Sequence, residues 1–182
     1  MSDTALLIID IQNDYFPGGA MELEGAEAAG AKAGAALAAF RAKKLPVLHV
    51  RHLSVRPGAT FFLPATRGAE IHASVAPAAG EPVIEKNFPN SFRATDLKQR
   101  LDGAGVKHLV VAGMMTQMCV DSSVRQAALP KAVKAKAFQN GHPIDHRSEK
   151  GKSSPGSTTH LVYPQAVFHG RRLTLNGPAN VA

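Results

Sequence analysis

The sequence predicts an α/β fold in which helices cover a parallel sheet. Short runs rich in Val, Ile and Leu occupy residues 4–10, 46–52 and 107–112, and such runs are typical of strands buried on both faces of a sheet. Segments of helical composition separate these runs, and strands that alternate with helices are typical of parallel sheets. A chain of 182 residues can bury one sizeable core, so we expect a single domain over residues 1–182.

The first part of the chain contains two predicted strands and one predicted helix. TALLIID, at residues 4–10, is predicted as a buried strand. The alanine-rich stretch 26–44 is predicted as a helix, because Leu37 and Phe40 have helical spacing and basic residues fill its last turn. PVLHVRH, at residues 46–52, is predicted as the second strand.

The second part repeats this pattern. Residues 82–85 predict a brief extended segment, and residues 94–101 predict a helix that follows Ser91 and ends before two glycines. KHLVVA, at residues 107–112, is predicted as the next buried strand. A turn and a further helix are expected in the segment that follows it, which ends near residue 127.

The positive net charge is concentrated near the C-terminus. The whole chain has a formal charge of +7, and residues 129–182 contain eight Lys or Arg against two acidic residues. The 13 basic and 12 acidic residues before them nearly balance, and no basic stripe with interleaved aromatic residues runs through that part. We therefore expect no nucleic-acid partner.

The N-terminal sequence and the cysteine content favour a cytoplasmic protein. MSDTALLIIDIQNDY has a short apolar run that meets Asp10 at once, which is too little for a signal peptide or a membrane span. The single cysteine, Cys119, cannot form an internal disulfide, and this fits a reducing compartment. We expect no membrane partner.

Three residues able to perform acyl-transfer chemistry follow three of the predicted strands. In parallel sheets ligands collect at the carboxyl ends of the strands, and this rule selects Asp10, Lys86 and Cys119. Each residue alone also fits a simpler explanation: Asp10 as a turn or cap, Lys86 as a solvated charge, Cys119 as core packing. Together they predict a thiol nucleophile with Asp10 as its base. A helix that begins near Cys119, together with Lys86, is expected to lower the pKa of the thiol.

Three motifs carry a resemblance to a known family. LLIIDIQNDYF, VIEKNFPNSF and VVAGMMTQMCVDSSVRQA resemble, in order and spacing, the signatures of the isochorismatase-like cysteine hydrolases, which include nicotinamidases and N-carbamoylsarcosine amidohydrolases. The resemblance implies a three-layer α/β/α sandwich around a mostly parallel sheet and a catalytic triad of Asp10, Lys86 and Cys119. It also implies hydrolysis of a small amide, ureido or related carbonyl substrate through a thioester on the cysteine.

The resemblance implies further features of the site and of the assembly. A non-proline cis peptide is expected at Met114–Met115, with the backbone amides of Met115 and Cys119 forming the oxyanion hole. Members of the family commonly form dimers or larger assemblies, so the resemblance implies a homodimer or a higher homo-oligomer.

The metal site of nicotinamidases is not expected in this chain. In those enzymes an Asp-x-His pair and a further His follow the second strand, whereas residues 49–64, HVRHLSVRPGATFFLP, contain no aspartate. His49 and His52 alone are a poor donor set for a hard ion and an incomplete one for zinc, so we expect no metal and no other cofactor. Cys119 also disfavours the vinyl-ether cleavage of isochorismatases proper, which as a group lack this cysteine.

Several residues beside the three motifs are candidates for contact with substrate. Gln12 and Asn87 could orient a polar substrate group. Five phenylalanines flank the motifs and are interpreted either as a pocket wall or as core: Phe16, Phe61, Phe62, Phe88 and Phe92.

The C-terminal third departs from the family pattern. Residues 129–182 are basic, and Gly, Ser and Pro occupy the stretch where a closing helix is expected. Two interpretations follow from this departure. The chain is either an active hydrolase or a non-catalytic binding or interaction member of the same fold, and the intact positions of Asp10, Lys86 and Cys119 favour the hydrolase.

Overall fold

A computed structural model gives the fold of residues 3–128 and the backbone of four short strands beyond them. The atypical C-terminal segment predicted over 129–182 lies, apart from those strands, outside the described residues. The strands of the main sheet are β1 Thr4–Ile9, β2 Val47–His52, β3 Val83–Lys86, β4 His108–Gly113, β5 Lys134–Gln139 and β6 His142–Pro143. Two further strands, β7 Val167–Phe168 and β8 Arg171–Arg172, pair with each other.

The sheet has the order β3-β2-β1-β4-β5-β6, and β1 lies near its centre. All neighbouring strands from β3 to β5 pair in parallel, while β6 pairs antiparallel with β5. Every residue of β1 is buried, as its unbroken apolar sequence predicts for a strand covered on both faces.

Helices cover both faces of the sheet. Helix α1, Ala26–Ala42, packs with Leu6 and Ile8 on one face. Helices α2, Leu97–Gly103, and α3, Asp121–Ala128, pack on the opposite face, where Leu7 and Ile9 point. The alternation of side chains along β1 thus divides the core between two layers of helices, and the predicted three-layer α/β/α sandwich is confirmed.

The boundaries of α2 differ from those predicted. The helix begins at Leu97 instead of Ala94, because the backbone of Ala94 is left-handed, with φ of 56°, and cannot continue an α-helix. It also extends to Gly103, two residues beyond the predicted end. In residues 3–128, no helix is both long enough and apolar enough to cross a membrane.

The two central strands approach each other closely at their carboxyl ends. Gly113, the last residue of β4, lies opposite Ile9 of β1 in the parallel register. A Cβ atom built on Gly113 would stand 2.4 Å from the backbone oxygen of Ile9. Only glycine therefore allows this spacing, which sets how near the segment after β4 comes to Asp10.

We predict that Gly113→Ala lowers the stability of the fold by about 1–3 kcal/mol, since the strand or its neighbour must move to admit the methyl group. The control is Gly103→Ala at the end of α2, where an added Cβ meets nothing within 4 Å. We expect the control to be neutral or to stabilise by about 0.4–1 kcal/mol. Urea unfolding of both variants measures the difference, and equal stabilities would contradict the close approach.

Candidate active site

Three chemically active side chains lie at the same end of the sheet. Asp10 directly follows β1, Lys86 is the last residue of β3, and Cys119 lies in the turn that follows β4. The carboxyl ends of parallel strands point in one direction, and ligands bind there in α/β folds. The structure therefore brings together residues separated by more than a hundred positions of the chain.

A buried ammonium group joins the acid to the thiol. Lys86 Nζ lies 2.6 Å from Asp10 Oδ2 and donates a hydrogen bond to Cys119 Sγ at 3.3 Å. The side chains of Asp10 and Lys86 are fully buried, and Cys119 is 7% exposed. In this low-dielectric setting a lysine without an anionic partner would be strongly disfavoured, so Asp10 and Lys86 depend on each other.

The backbone at Asp10 adopts a conformation that is uncommon for residues other than glycine. Its φ of 54° lies in the left-handed region, where such residues cluster at functional sites. The N–H of Asp10 donates to the carbonyl of Val50 in β2 at 3.0 Å. The chain thus leaves β1 at a fixed point, with the carboxylate beside Lys86.

The thiol lies in a π-helical turn, Thr116–Val120, and not in the first turn of an α-helix. Helix α3 begins two residues after Cys119, at Asp121. Such turns are rare and occur frequently at functional sites. The peptide bond between Met114 and Met115, just before this turn, is cis.

A pair of buried serines ties α3, the helix that follows the thiol, to the segment after Lys86. Ser123 Oγ, on α3, accepts a hydrogen bond from the N–H of Ser91 at 2.9 Å and donates to Ser91 Oγ at 2.8 Å. Both serines are buried. Sequence reasoning identified neither side chain as part of the site, since isolated serines give no signal of burial.

The expected lowering of the thiol pKa is wrong for this geometry. Burial raises the pKa of Cys119, the Asp10 carboxylate raises it further, and the Lys86 ammonium offsets only part of this increase. For Lys86, burial lowers the pKa, but the negative charges of Asp10 and Cys119 outweigh it and the pKa is raised. The resting site therefore contains an ammonium group beside a neutral thiol.

His52 is the third group in contact with Lys86. Its Nδ1 lies 3.0 Å from Lys86 Nζ. One ligand atom each from Asp10, His52 and Cys119 lies within 4.8 Å of the others, an arrangement able to bind a metal. The ammonium of Lys86 contacts all three of these side chains, however, and its charge would repel a cation at that position. The donor set therefore does not fit a resident metal.

His49 points away from these residues. It is fully buried, and its Nε2 lies 2.9 Å from Glu81 Oε2. Glu81 also accepts two hydrogen bonds from Arg41, at 2.8 and 2.7 Å, which lower the pKa of Glu81 to about 2. His49 thus contacts the structural ion pair of Arg41 and Glu81, on the other side of β2.

Gln12 and Asn87 bind backbone groups. The fully buried Gln12 accepts from the N–H of His52 at 2.7 Å and donates to the carbonyls of His52 and Ala69, each at 2.9 Å. Asn87 donates to the carbonyl of Leu53 at 2.8 Å. The expectation that these amides orient substrate is therefore replaced, for Gln12, by a role in fixing the end of β2, because both of its amide N–H groups are already used.

Three of the five phenylalanines pack against the core or stack on another side chain. Phe16 belongs to the core beneath α1, and its ring stacks on His72 at a centroid distance of 3.4 Å. Phe88 lies under the guanidinium of Arg93, 3.9 Å from it, and Phe92 packs against the core below α2. Phe16 is therefore a core residue, while Phe88 and Phe92 as pocket lining stay a prediction.

An aromatic cluster adjoins His52. Phe62 is buried, and its ring centroid lies 6.1 Å from that of His52, 4.7 Å from that of Tyr15 and 5.0 Å from that of Phe61. The carboxylate of Asp14 holds this segment by accepting from the N–H of Phe62 at 2.5 Å.

Tyr15 adjoins the candidate site through its ring contact with Phe62, and sequence reasoning did not identify it. It is buried, and its pKa is raised by burial and then by the charges of Asp10, Cys119 and Asp14. The phenol therefore lies within electrostatic reach of both the acid and the thiol. Its position five residues after Asp10, in the loop that leaves β1, was the available signal.

We predict that Asp10→Asn makes Cys119 easier to alkylate at neutral pH. The Asp10 carboxylate raises the pKa of the thiol, and the Lys86 ammonium lowers it. Removal of the carboxylate therefore lowers the thiol pKa and raises the thiolate fraction. Lys86→Met should have the opposite effect. The measurement is the rate of iodoacetamide alkylation against pH. The control is Asp96→Asn, which removes one negative charge from an exposed position. A slower reaction in Asp10→Asn would contradict this assignment of charges.

We also predict that the fold loses stability on mild acidification. The pKa values of His49, His52 and His72 are lowered in the folded chain, chiefly by burial. The unfolded chain therefore binds more protons once the pH falls below the ordinary histidine pKa of about 6.5. The urea midpoint should decrease from about pH 8 to about pH 5, and His49→Gln should flatten part of this slope. A midpoint that rises on acidification would contradict the burial of neutral histidines.

Comparison with known proteins identifies the family of this chain. The isochorismatase domain family matches residues 4–130. The isochorismatase family protein YddQ of Bacillus subtilis is 53% identical over 124 residues, which are 68% of this chain and 69% of YddQ. A streptothricin hydrolase of Streptomyces noursei is 35% identical over 123 residues, again 68% of this chain but only 44% of that enzyme.

Solved structures share the fold. The crystal structure of an isochorismatase hydrolase from Oleispira antarctica superimposes with a TM-score of 0.70 and 42% identity, and covers 87% of this chain and 82% of that one. The family match takes in Asp10, Lys86 and Cys119 together with strands β1 to β4. The chain belongs to the isochorismatase family.

Proposed function

We propose that this protein is a cysteine hydrolase that cleaves a small amide, ureido or related carbonyl compound through a thioester on Cys119. One observation carries the proposal: the buried ammonium of Lys86 contacts both the Asp10 carboxylate and the Cys119 sulfur. This arrangement supplies a nucleophile, a base and a fixed positive charge in one site. The similarity to a streptothricin hydrolase supports a hydrolytic reaction.

The first step is transfer of the thiol proton to Asp10. The net charge of the acid, amine and thiol group is the same before and after this transfer, so the buried site does not gain a charge. The ammonium of Lys86, which pairs with the carboxylate in the resting state, then stabilises the thiolate. The thiolate attacks the substrate carbonyl carbon, and a tetrahedral oxyanion forms that the backbone amides of Met115 and Cys119 stabilise.

The second step releases the amine or ammonia and leaves an acyl group on sulfur. Asp10 returns its proton to the departing nitrogen, and the carbon–nitrogen bond breaks as the thioester forms. Asp10 then removes a proton from water, which attacks the thioester and releases the acid. The thiolate finally takes up the proton from Asp10, so the site returns to its resting state.

The aromatic cluster of Tyr15, Phe61 and Phe62 is the proposed wall for a small substrate. These rings adjoin His52 and hence the ammonium of Lys86. Aromatic side chains bury large areas of a ligand with little loss of side-chain freedom. We further propose that the protein is cytoplasmic and forms a homo-oligomer. Light scattering of the purified chain would test the oligomeric state, and cell fractionation would test the location.

We predict that Cys119→Ala abolishes hydrolysis of any amide, ureide or hydroxamate that a screen with ammonia detection identifies. Without the sulfur no thioester can form, so kcat should fall by at least about 10³-fold. Lys98→Ala, at an exposed position of α2, is the control that should leave turnover unchanged. Retained turnover in folded Cys119→Ala would contradict the proposal.

A further inference from the structure

The ammonium of Lys86 has three N–H donors and three neighbouring acceptors. The Asp10 carboxylate lies at 2.6 Å, His52 Nδ1 at 3.0 Å and Cys119 Sγ at 3.3 Å. The ammonium thus has one neighbour for each of its three N–H groups: Asp10 by a close ion pair, and His52 and Cys119 by hydrogen bonds. Loss of any acceptor would leave a buried charged donor unsatisfied, which is strongly disfavoured.

His52 is held firmly in this position. In the parallel register of β2 and β3, His52 lies directly opposite Lys86, so the two side chains are neighbours across the sheet. Gln12 binds both the N–H and the carbonyl of His52, at 2.7 and 2.9 Å, and is itself fully buried. Phe62 packs beside the imidazole. Gln12 thus holds the backbone of the histidine, and Phe62 packs against its ring.

The direction of the hydrogen bond defines the protonation of His52. A lysine ammonium can only donate, so Nδ1 must accept, and the ring proton of the neutral imidazole must be on Nε2. Burial lowers the pKa of His52, as do the charges of Lys86 and Arg56, while Asp10 opposes them. The neutral form is therefore the one that the surroundings favour.

We propose that His52 is a positioning residue of the hydrolase, which accepts the third ammonium proton of Lys86 and thereby keeps Nζ between Asp10 and Cys119. The inference rests on the proposed function for its effect on turnover. It extends the site from three residues to four, with Gln12 as the group that holds the fourth in place.

The proposal also predicts how the site fails in acid. The charged or titratable groups that face His52 are Asp10 at the end of β1, Lys86 on β3, Cys119 after β4 and Arg56 in the loop after β2. Protonation of His52 removes the acceptor and puts a second cation 3.0 Å from the ammonium. Lys86 would then be repelled from its place beside the sulfur.

The first test compares His52→Leu with His52→Asn. Leucine removes the acceptor, whereas the side-chain oxygen of asparagine can replace Nδ1 without titrating. In the leucine variant Lys86 lowers the thiol pKa less, and a rise of one unit slows alkylation of Cys119 by iodoacetamide about tenfold at a fixed pH near 8. The asparagine variant should react at nearly the wild-type rate. Equal rates in the leucine variant and the wild type would overturn the proposal.

The second test holds even where the leucine variant does not fold. The hydrolysis rate of the wild type should decline in acid as His52 is protonated, at a pH below the ordinary histidine value because burial lowers the pKa of His52. In His52→Asn this decline should be lost. His72→Asn is the matched control, because His72 is stacked on Phe16 and contacts Ser74, away from Lys86. A decline that persists unchanged in His52→Asn would overturn the positioning role.

The two proposals fail in different ways. If the wild type hydrolyses none of the screened compounds, the proposed function loses its support, while the alkylation rates still show whether His52 controls Lys86. If hydrolysis is found but His52→Leu retains the wild-type alkylation rate and pH profile, the hydrolase stands and the positioning role is rejected.

Discussion

The site depends on one buried cation. Lys86 is enclosed by an acid, an imidazole and a thiol, of which the acid is fully buried, the thiol is buried and the imidazole is half-buried. A charge in such surroundings is stable only where every donor has a partner and an opposite charge lies close by. The position of Lys86 is therefore also what fixes the distance between Asp10 and Cys119. The chemistry we propose uses that fixed distance.

The fold produces this arrangement by bringing strand ends together. The parallel order of β3, β2, β1 and β4 places the segments that follow them at one end of the sheet. The glycine at position 113 lets β4 approach β1, and the Ser91–Ser123 pair joins the helix after the thiol to the segment after the lysine. Gln12 fixes the end of β2 from the loop after β1. Each connection is between segments far apart in sequence, so the site forms only when the whole sheet does.

The fold and the three chemical groups could be predicted from the sequence because they depend on local patterns. Unbroken apolar runs indicate buried strands, and an aspartate, a lysine and a cysteine placed just after such runs indicate where the strand ends carry chemistry. The start of α2 could not be predicted, since nothing in the local sequence shows that Ala94 is left-handed.

Other features depend on contacts that sequence periodicity does not encode. The role of Gln12 depends on a partner 40 positions away, and the contact of His52 with Lys86 depends on the register of two strands. The thiol pKa also depends on geometry. The sequence predicts that the lysine and the helix start lower this pKa, but burial and the nearby carboxylate raise it by more.

The most direct measurement is mass spectrometry of the protein, quenched in acid while it turns over a hydrolysable amide. Acid preserves a thioester long enough for digestion and assignment of the modified peptide. The account predicts an added mass equal to the acyl part of the substrate on the peptide that contains Cys119. Turnover at a normal rate with no acyl group on that peptide, under conditions where a thioester would accumulate, would contradict it.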